Sequence, residues 1–127
     1  MTYVLDSSAV LAWLQEEKGS ERVRTALADG VVTAANWSEI LQKARQYGGD
    51  PHEVSLLLRS LGLEVIEVTR EDGEMAASMW TKEIPLSLGD RLCLAAAARL
   101  RRPAMTADAQ WEQIEIEDVR VEAIRKR

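Results

Sequence analysis

Four carboxylates, Asp6, Glu39, Asp90 and Asp108, are the residues of this chain best suited to chemistry. Each follows an apolar run and stands where a helical pattern begins: Tyr3-Val4-Leu5-Asp6, Val31-Val32-Thr33 up to Glu39, Leu86-Ser87-Leu88-Gly89-Asp90, and Ala104-Met105-Thr106-Ala107-Asp108. Acids gathered from distant sequence repel, and at close range they raise one another's pKa, unless a cation holds them. Hard cations such as Mg²⁺ and Mn²⁺ take oxygen ligands, usually one or two carboxylates with water and substrate phosphate. Two such ions roughly 4 Å apart serve phosphodiester hydrolysis. A plainer role competes at every position, because helix starts attract acids. Asp6 fits a cap for a helix near Ser8, and Asp108 a cap for a turn holding Trp111. Glu39 stands three residues after Asn36, and Asp90 three after Ser87, both in capping-box spacing.

The elements that must position these acids are read from periodicity. Strands are expected at 2–5, 31–34, 63–68 and 104–106, with a fifth, edge strand at 118–122. Helices are expected at 8–16, from a Ser20 cap to Leu27 with Gly30 as a stop, and from Asn36 through Tyr47. That third helix carries Trp37, Ile40, Leu41, Ala44 and Tyr47 at i, i+3, i+4 spacing. Asp50-Pro51 opens a fourth with cap and proline in the expected order, and Thr69 a fifth with Glu71 and Asp72 in its first turn. Pro85 breaks the chain before an alanine-rich helix, 88–102. Strands alternating with helices predict a three-layer α/β/α sandwich on a mainly parallel sheet of four to five strands. In such sheets the strands' carboxyl ends lie along the edge that carries sites.

With 127 residues, 46% of them hydrophobic, the expectation is one domain over 1–127 with a single core. No apolar run approaches the roughly 20 residues that span a bilayer. The start lacks a secretory n-region, and the lone Cys93 fits a reducing compartment, so a cytoplasmic protein is expected. The net charge is −5, and removing the four acids leaves −1, so charge neither supports nor excludes an RNA substrate. Positive charge clusters at Arg99, Arg101 and Arg102 and in the tail Arg125-Lys126-Arg127.

Four strings in register now carry a resemblance: Val4-Leu5-Asp6-Ser7-Ser8-Ala9, Ala34-Ala35-Asn36-Trp37-Ser38-Glu39-Ile40, Leu86 to Ala95, and Thr106-Ala107-Asp108-Ala109-Gln110-Trp111. Together they resemble the PIN-domain family, and within it the VapC-type toxins of toxin–antitoxin pairs, over essentially the whole chain. The resemblance implies an endoribonuclease dependent on Mg²⁺ or Mn²⁺ that cuts RNA through metal-activated water. It implies Asp6, Glu39 and Asp90 as core acids with Asp108 completing the site. Asp6 and Asp90 would be direct ligands, and Glu39 would hold a water. Ser7 and Thr106 match the family's small hydroxyl residues, which support the metal shell or the scissile phosphate. The partners implied are RNA, a VapB-type antitoxin and a second copy of the chain. Helices 8–16 and 36–47 are expected to offer the antitoxin a groove.

Other features carry less. His52, the only histidine, reads as a solvated residue of a helix's first turn, and Cys93 as a small buried hydrophobe. Trp13, Trp37 and Trp111 read as core, with Trp80 unassigned. Gly48-Gly49 lacks the lysine and strand of a phosphate loop. Two rival functions remain at this point. One is a non-catalytic PIN-like binding protein. The other is a Mg²⁺-binding receiver domain, although the third strand here ends in Val68-Thr69 rather than a phosphate-accepting Asp.

Overall fold

The computed structural model describes residues 1–116 and 118–126. Five strands, β1 (Val4–Leu5), β2 (Val31–Thr33), β3 (Glu64–Ile66), β4 (Ala104–Thr106) and β5 (Val121–Ala123), form one sheet in the order β3-β2-β1-β4-β5. Every pairing is parallel, with Val4 opposite Val31 and Ala104, and Ala104 opposite Val121. The receiver fold places its third strand inside the sheet, in the order 2-1-3-4-5. Here β3 is an edge, so that alternative is excluded. The strand order reverses between β1 and β4, which makes their carboxyl ends the switch point where open α/β sheets form crevices.

Six helices surround the sheet: α1 (Ser7–Leu14), α2 (Ser20–Leu27), α3 (Ala34–Gln46), α4 (Pro51–Ser60), α5 (Arg70–Ser78) and α6 (Leu88–Leu100). Alternating strand residues divide the core into two layers, as the pleat requires. Leu5, Val32 and Met105 pack with Ala9, Val10, Leu27, Ile40 and Leu58 on one face. Val4, Val31 and Ala104 pack with Cys93, Leu94, Ala96, Ala97 and Trp111 on the other. Helix α6 is buried continuously from Leu92 to Ala97 because α5 covers the side facing away from the sheet, through Ala76 against Leu92 and Ala95. Its small side chains permit that close double packing. None of these helices is long and apolar enough to cross a membrane.

The expected elements are present with shifted ends. Strand one is shorter than 2–5, and the edge strand lies at Val121–Ala123 rather than 118–122, after Asp118 at a left-handed φ of 67°. Ser20 is the first residue of α2, not its cap. The residue before it is Gly19, at φ 93°, where an added Cβ would lie 2.5 Å from the Ile124 carbonyl. The cap of α3 is Thr33, whose hydroxyl accepts from the Asn36 N–H at 3.1 Å, so the helix starts two residues before Asn36. Asp50 and Thr69 cap α4 and α5 as expected. Trp111 is buried, Trp13 and Trp37 are partly buried against the core, and Trp80 is 62% exposed. Arg127 lies outside the described residues, and Arg125 of the same tail pairs with Glu17 at 2.9 Å.

One ion pair ties α5 to α6. Arg99 meets Asp72 through two hydrogen bonds, of 2.8 and 3.0 Å, and Asp72 also accepts from the Thr69 N–H to complete the α5 capping box. Asp72 is almost fully buried; its burial opposes ionisation, but Arg99 and the Thr69 cap overcome this and hold its pKa below the ordinary value. A depressed carboxyl contributes stability at neutral pH that is lost as pH falls through its folded pKa. Replacing Asp72 with Ala removes charge-assisted bonds and a cap, and should cost about 2–3 kcal/mol. Urea melts of wild type and Asp72→Ala at pH 7 check this, and the difference should shrink below pH 4.

Candidate active site

Asp6 stands at the switch point, directly after β1, with its N–H donating to the Met105 carbonyl of β4 at 3.0 Å. Its side chain caps α1 by accepting from the Ala9 N–H at 2.9 Å. Two hydroxyls hold the rest of the carboxylate. Thr106 donates to Oδ2 at 2.8 Å, and the Ser8 Oγ lies 2.8 and 2.9 Å from the two oxygens. Those hydroxyls also accept from the segment after β4, Thr106 from the Asp108 N–H at 3.1 Å and Ser8 from the Ala107 N–H at 3.0 Å. Asp6 and Asp108 are thereby locked into one frame, although 102 residues separate them.

Glu39 comes from the second turn of α3, not from a strand–helix junction. Ser7 donates to its Oε1 at 3.1 Å, and the Asn36 Nδ2 donates to the same oxygen at 2.7 Å and to the Gly89 carbonyl at 3.3 Å. Asn36 is therefore not the anticipated cap but a buried brace between Glu39 and α6. Its Oδ1 has no partner among the described residues. Gly89 matters for the same contact, because an added Cβ would lie 2.8 Å from the Glu39 Oε1.

Asp90 and Asp108 act as caps, as the plainer reading allows. Asp90 accepts from the Ser87 N–H at 3.0 Å while the Ser87 hydroxyl accepts from the Asp90 N–H, closing the α6 capping box. No strand precedes it; the run before Ser87 is loop, because Pro85 denies the ladder a donor. Asp108 is exposed and caps the 3-10 turn Ala109–Gln113 through the Gln110 N–H at 2.9 Å.

The four acids nevertheless share one field. Burial raises the pKa of Asp6 to about 6 against its bonds from Ala9, Ser8 and Thr106, and the charge of Asp90 adds to the rise. Asp90 is raised as well, first by burial, then by Glu39 and Asp108. Burial also pushes the Cys93 thiol well up, and Asp6, Asp90 and Glu39 push it further, so this inert cysteine feels three acids at once. Among the described residues, no three His, Cys, Asp or Glu side chains close into a metal cage. An open site suits Mg²⁺, which keeps several waters and binds through one or two carboxylates. The all-oxygen donor set and the strained ionisation of Asp6 both fit a hard divalent cation. Asp6 and Asp90 are the residues that would hold it.

Of the two hydroxyls expected beside the acids, Ser7 donates to Glu39 and Thr106 to Asp6, while Ser8, not singled out in the sequence, bonds both oxygens of Asp6. The spacing Asp6-x-Ser8, with a side chain reaching back two residues, was the available signal. The basic cluster is also reassigned. Arg99 is engaged by Asp72, while Arg101 and Arg102 join Arg120 around a cleft beside Met1 and Pro103, where β1 and β4 begin. Asp90 lies in the first turn of α6, whereas Arg99 is in its last turn and Arg101 and Arg102 follow its end, next to the start of β4.

The PIN domain family matches residues 3–117. No curated protein matches the sequence. Among solved structures, the chain is similar to a toxin–antitoxin complex from Klebsiella pneumoniae, with TM-score 0.79, 17% identity and coverage of 98% of this chain and 99% of that one. It is similar to DNA-bound VapBC from Salmonella typhimurium, with TM-score 0.73, 14% identity and coverage of 98% and 99%. It is also similar to Mycobacterium tuberculosis VapC20, a toxin that cleaves the sarcin–ricin loop, with TM-score 0.71, 17% identity and coverage of 94% and 99%. At these identities the likeness speaks for the fold.

The Asp6 carboxyl holds a proton to about pH 6 when folded, against an ordinary value of 3.8. The folded state therefore has its full advantage below pH 3.8 and loses it as pH rises to about 6. The cost of ionisation above that window is on the order of 3 kcal/mol. In metal-free buffer, Asp6→Asn should melt at a higher temperature than wild type at pH 7, with the gap closing toward pH 4. Calorimetry with EDTA checks it; a less stable Asn variant at pH 7 would contradict the assignment.

Proposed function

We propose that this chain, which belongs to the PIN-domain family, is a metal-dependent endoribonuclease and the toxin of a type II toxin–antitoxin pair. The observation that carries the reading is Asp6, buried and hard to ionise at the switch point, within the field of the Asp90 charge and fixed by Ser8 and Thr106. A purely structural cap would sit more cheaply in solvent, where ionisation costs nothing. That cost weighs against a PIN-like protein that binds partners without cleaving. The toxin assignment is supported by similarity of fold to VapBC complexes over nearly the full length of both chains.

When bound, Mg²⁺ or Mn²⁺ supplies an activated water and neutralises charge on the leaving oxygen. The chain's own groups do the rest. Asp6 and Asp90 would hold the ion, and Ser8 and Thr106 keep the Asp6 carboxylate from turning. Glu39, braced by Ser7 and Asn36, orients water at the site, and Asp108 completes the acidic edge. The amino ends of α1 and α6 converge here, and their dipoles favour the anionic groups the reaction gathers.

The partners proposed are RNA, a VapB-type antitoxin and a second copy of the chain, in the cytoplasm. Trp13 and Leu14 of α1 line a cleft with Leu57 of α4, which suits an apolar antitoxin segment. Leu56 and Leu57 of α4 are 53% and 44% exposed, and Leu58 is the helix's one buried residue. The cleft thus joins α1 to α4, and of the two helices first expected only the one at 8–16 lines it.

The purified protein should cut RNA into discrete fragments with Mg²⁺ or Mn²⁺ and stop in EDTA. Asp90→Asn keeps an acceptor for the Ser87 N–H but loses the charge, so it should stay folded and cut at least about 100-fold more slowly. Gel analysis of total cellular RNA, with circular dichroism of the variant, checks both. Full activity in folded Asp90→Asn would sink the mechanism.

A further inference from the structure

Next to the acids lies a cleft of about 280 Å³ that the mechanism does not use. It opens between the loop before α6 and the 3-10 turn after β4. Ile84, Leu86 and Ile114 supply apolar lining, and Glu83, Gln110 and Gln113 supply polar groups. Asp108 lines it too, which makes it continuous with the candidate active site. The same loop runs on into Ser87 and the capping box of Asp90.

We propose that this cleft is a nucleobase subsite, taking one unstacked base of the RNA beside the scissile phosphate; this rests on the nuclease reading above. Charge decides between base and phosphate. Glu83 and Asp108 line the cleft and, among the described residues, no lysine or arginine does, so a phosphate is repelled and a neutral ring is admitted. Size agrees, since ligand pockets run from roughly 300 Å³ upward and this one stands at the small end, with room for a single ring system. Apolar faces with a few polar groups at the rim are how single-stranded RNA bases are held and read.

The polar groups also select among bases. An ionised carboxylate only accepts hydrogen bonds, whereas a glutamine amide both donates and accepts. Glu83 therefore favours a base that presents an amino group, as cytosine does to a carboxylate. Adenine, cytosine and guanine carry one; uracil offers only its ring N3–H, flanked by two carbonyl oxygens that a carboxylate repels. The subsite discriminates against uracil at one nucleotide next to the cut.

Two measurements test this. Random-sequence single-stranded RNA is cleaved with Mn²⁺ by wild type, Glu83→Gln and Gln110→Ala, and the new ends are sequenced. In parallel, the side-chain amides of Gln110 and Gln113 are followed by NMR as oligoadenylate, oligocytidylate or oligouridylate is added in Ca²⁺. Wild type should disfavour uracil about tenfold at one position flanking the cut. Glu83→Gln should flatten that preference while cutting continues, and the amides should shift with the amino-bearing oligomers only. Cleavage with unchanged base preferences in both variants overturns the subsite and leaves the nuclease standing. Amide shifts of the expected selectivity without cleavage overturn the nuclease and leave the subsite. Neither cleavage nor shifts overturns both.

Discussion

Keeping a carboxylate charged beneath the end of a parallel sheet is the constraint around which this molecule is arranged. Asp6 is 3% exposed, follows directly on β1, and has the charge of Asp90 nearby. Water cannot solvate it, so three donors do: the Ala9 N–H, the Ser8 hydroxyl and the Thr106 hydroxyl. They do not fully succeed, and its pKa stays near 6. Buried polar groups left short of compensation are costly in a low-dielectric interior. Such sites persist where the missing partner arrives from outside, and a divalent cation is the partner this oxygen-only set accepts.

The topology makes that arrangement reachable. With β1 and β4 adjacent and parallel, the first residues after each strand meet at the switch point. Thr106 closes the gap by bonding Asp6 with its proton and Asp108 with its lone pair. On the other side, a side chain at position 89 of α6 would displace the Glu39 carboxylate, and Asn36 bridges α3 and α6 beneath Glu39. Behind the site, the alanines of α6 let it sink between sheet and α5, while Arg99 and Asp72 fix its far end. The capping roles and the site roles of the acids are thus not rivals. A cap at the first turn of α1 or α6 fixes an acid's position, and the helix dipole lowers the cost of its charge.

Much of this was legible in residue order. Apolar patterning located the strands and the helices α1, α3 and α6, while caps and stop residues marked α2, α4 and α5. Proline and aspartate in the order Asp50-Pro51 marked α4 without ambiguity. The errors lie where local signals compete. Asn36 looked like a cap, but Thr33 had the same chemistry three residues earlier, and Asn36 was needed across the helix interface. Ser7 and Ser8 are indistinguishable by type; only the turn of α1 decides which hydroxyl reaches Asp6 and which reaches Glu39. The arginines near residue 100 read as one basic patch, yet Arg99 and Arg101 point into different surroundings because the helix ends between them, with Arg101 at a left-handed φ of 55°. Contacts across the sheet or between helices leave no local trace, and those are the contacts that turn four acids into one site.

The most direct test of that site is a calorimetric titration with Mn²⁺ at pH 5.5 and 7.5, in buffers of different ionisation enthalpy, for wild type and Asp6→Asn. Binding to a carboxyl with a pKa of about 6 must expel its proton. The account predicts Mn²⁺ binding at both pH values, proton release to the buffer at pH 5.5 that largely vanishes at pH 7.5, and loss of both signals in the variant. Absence of Mn²⁺ binding by folded wild type, or binding that Asp6→Asn leaves unchanged, would contradict it.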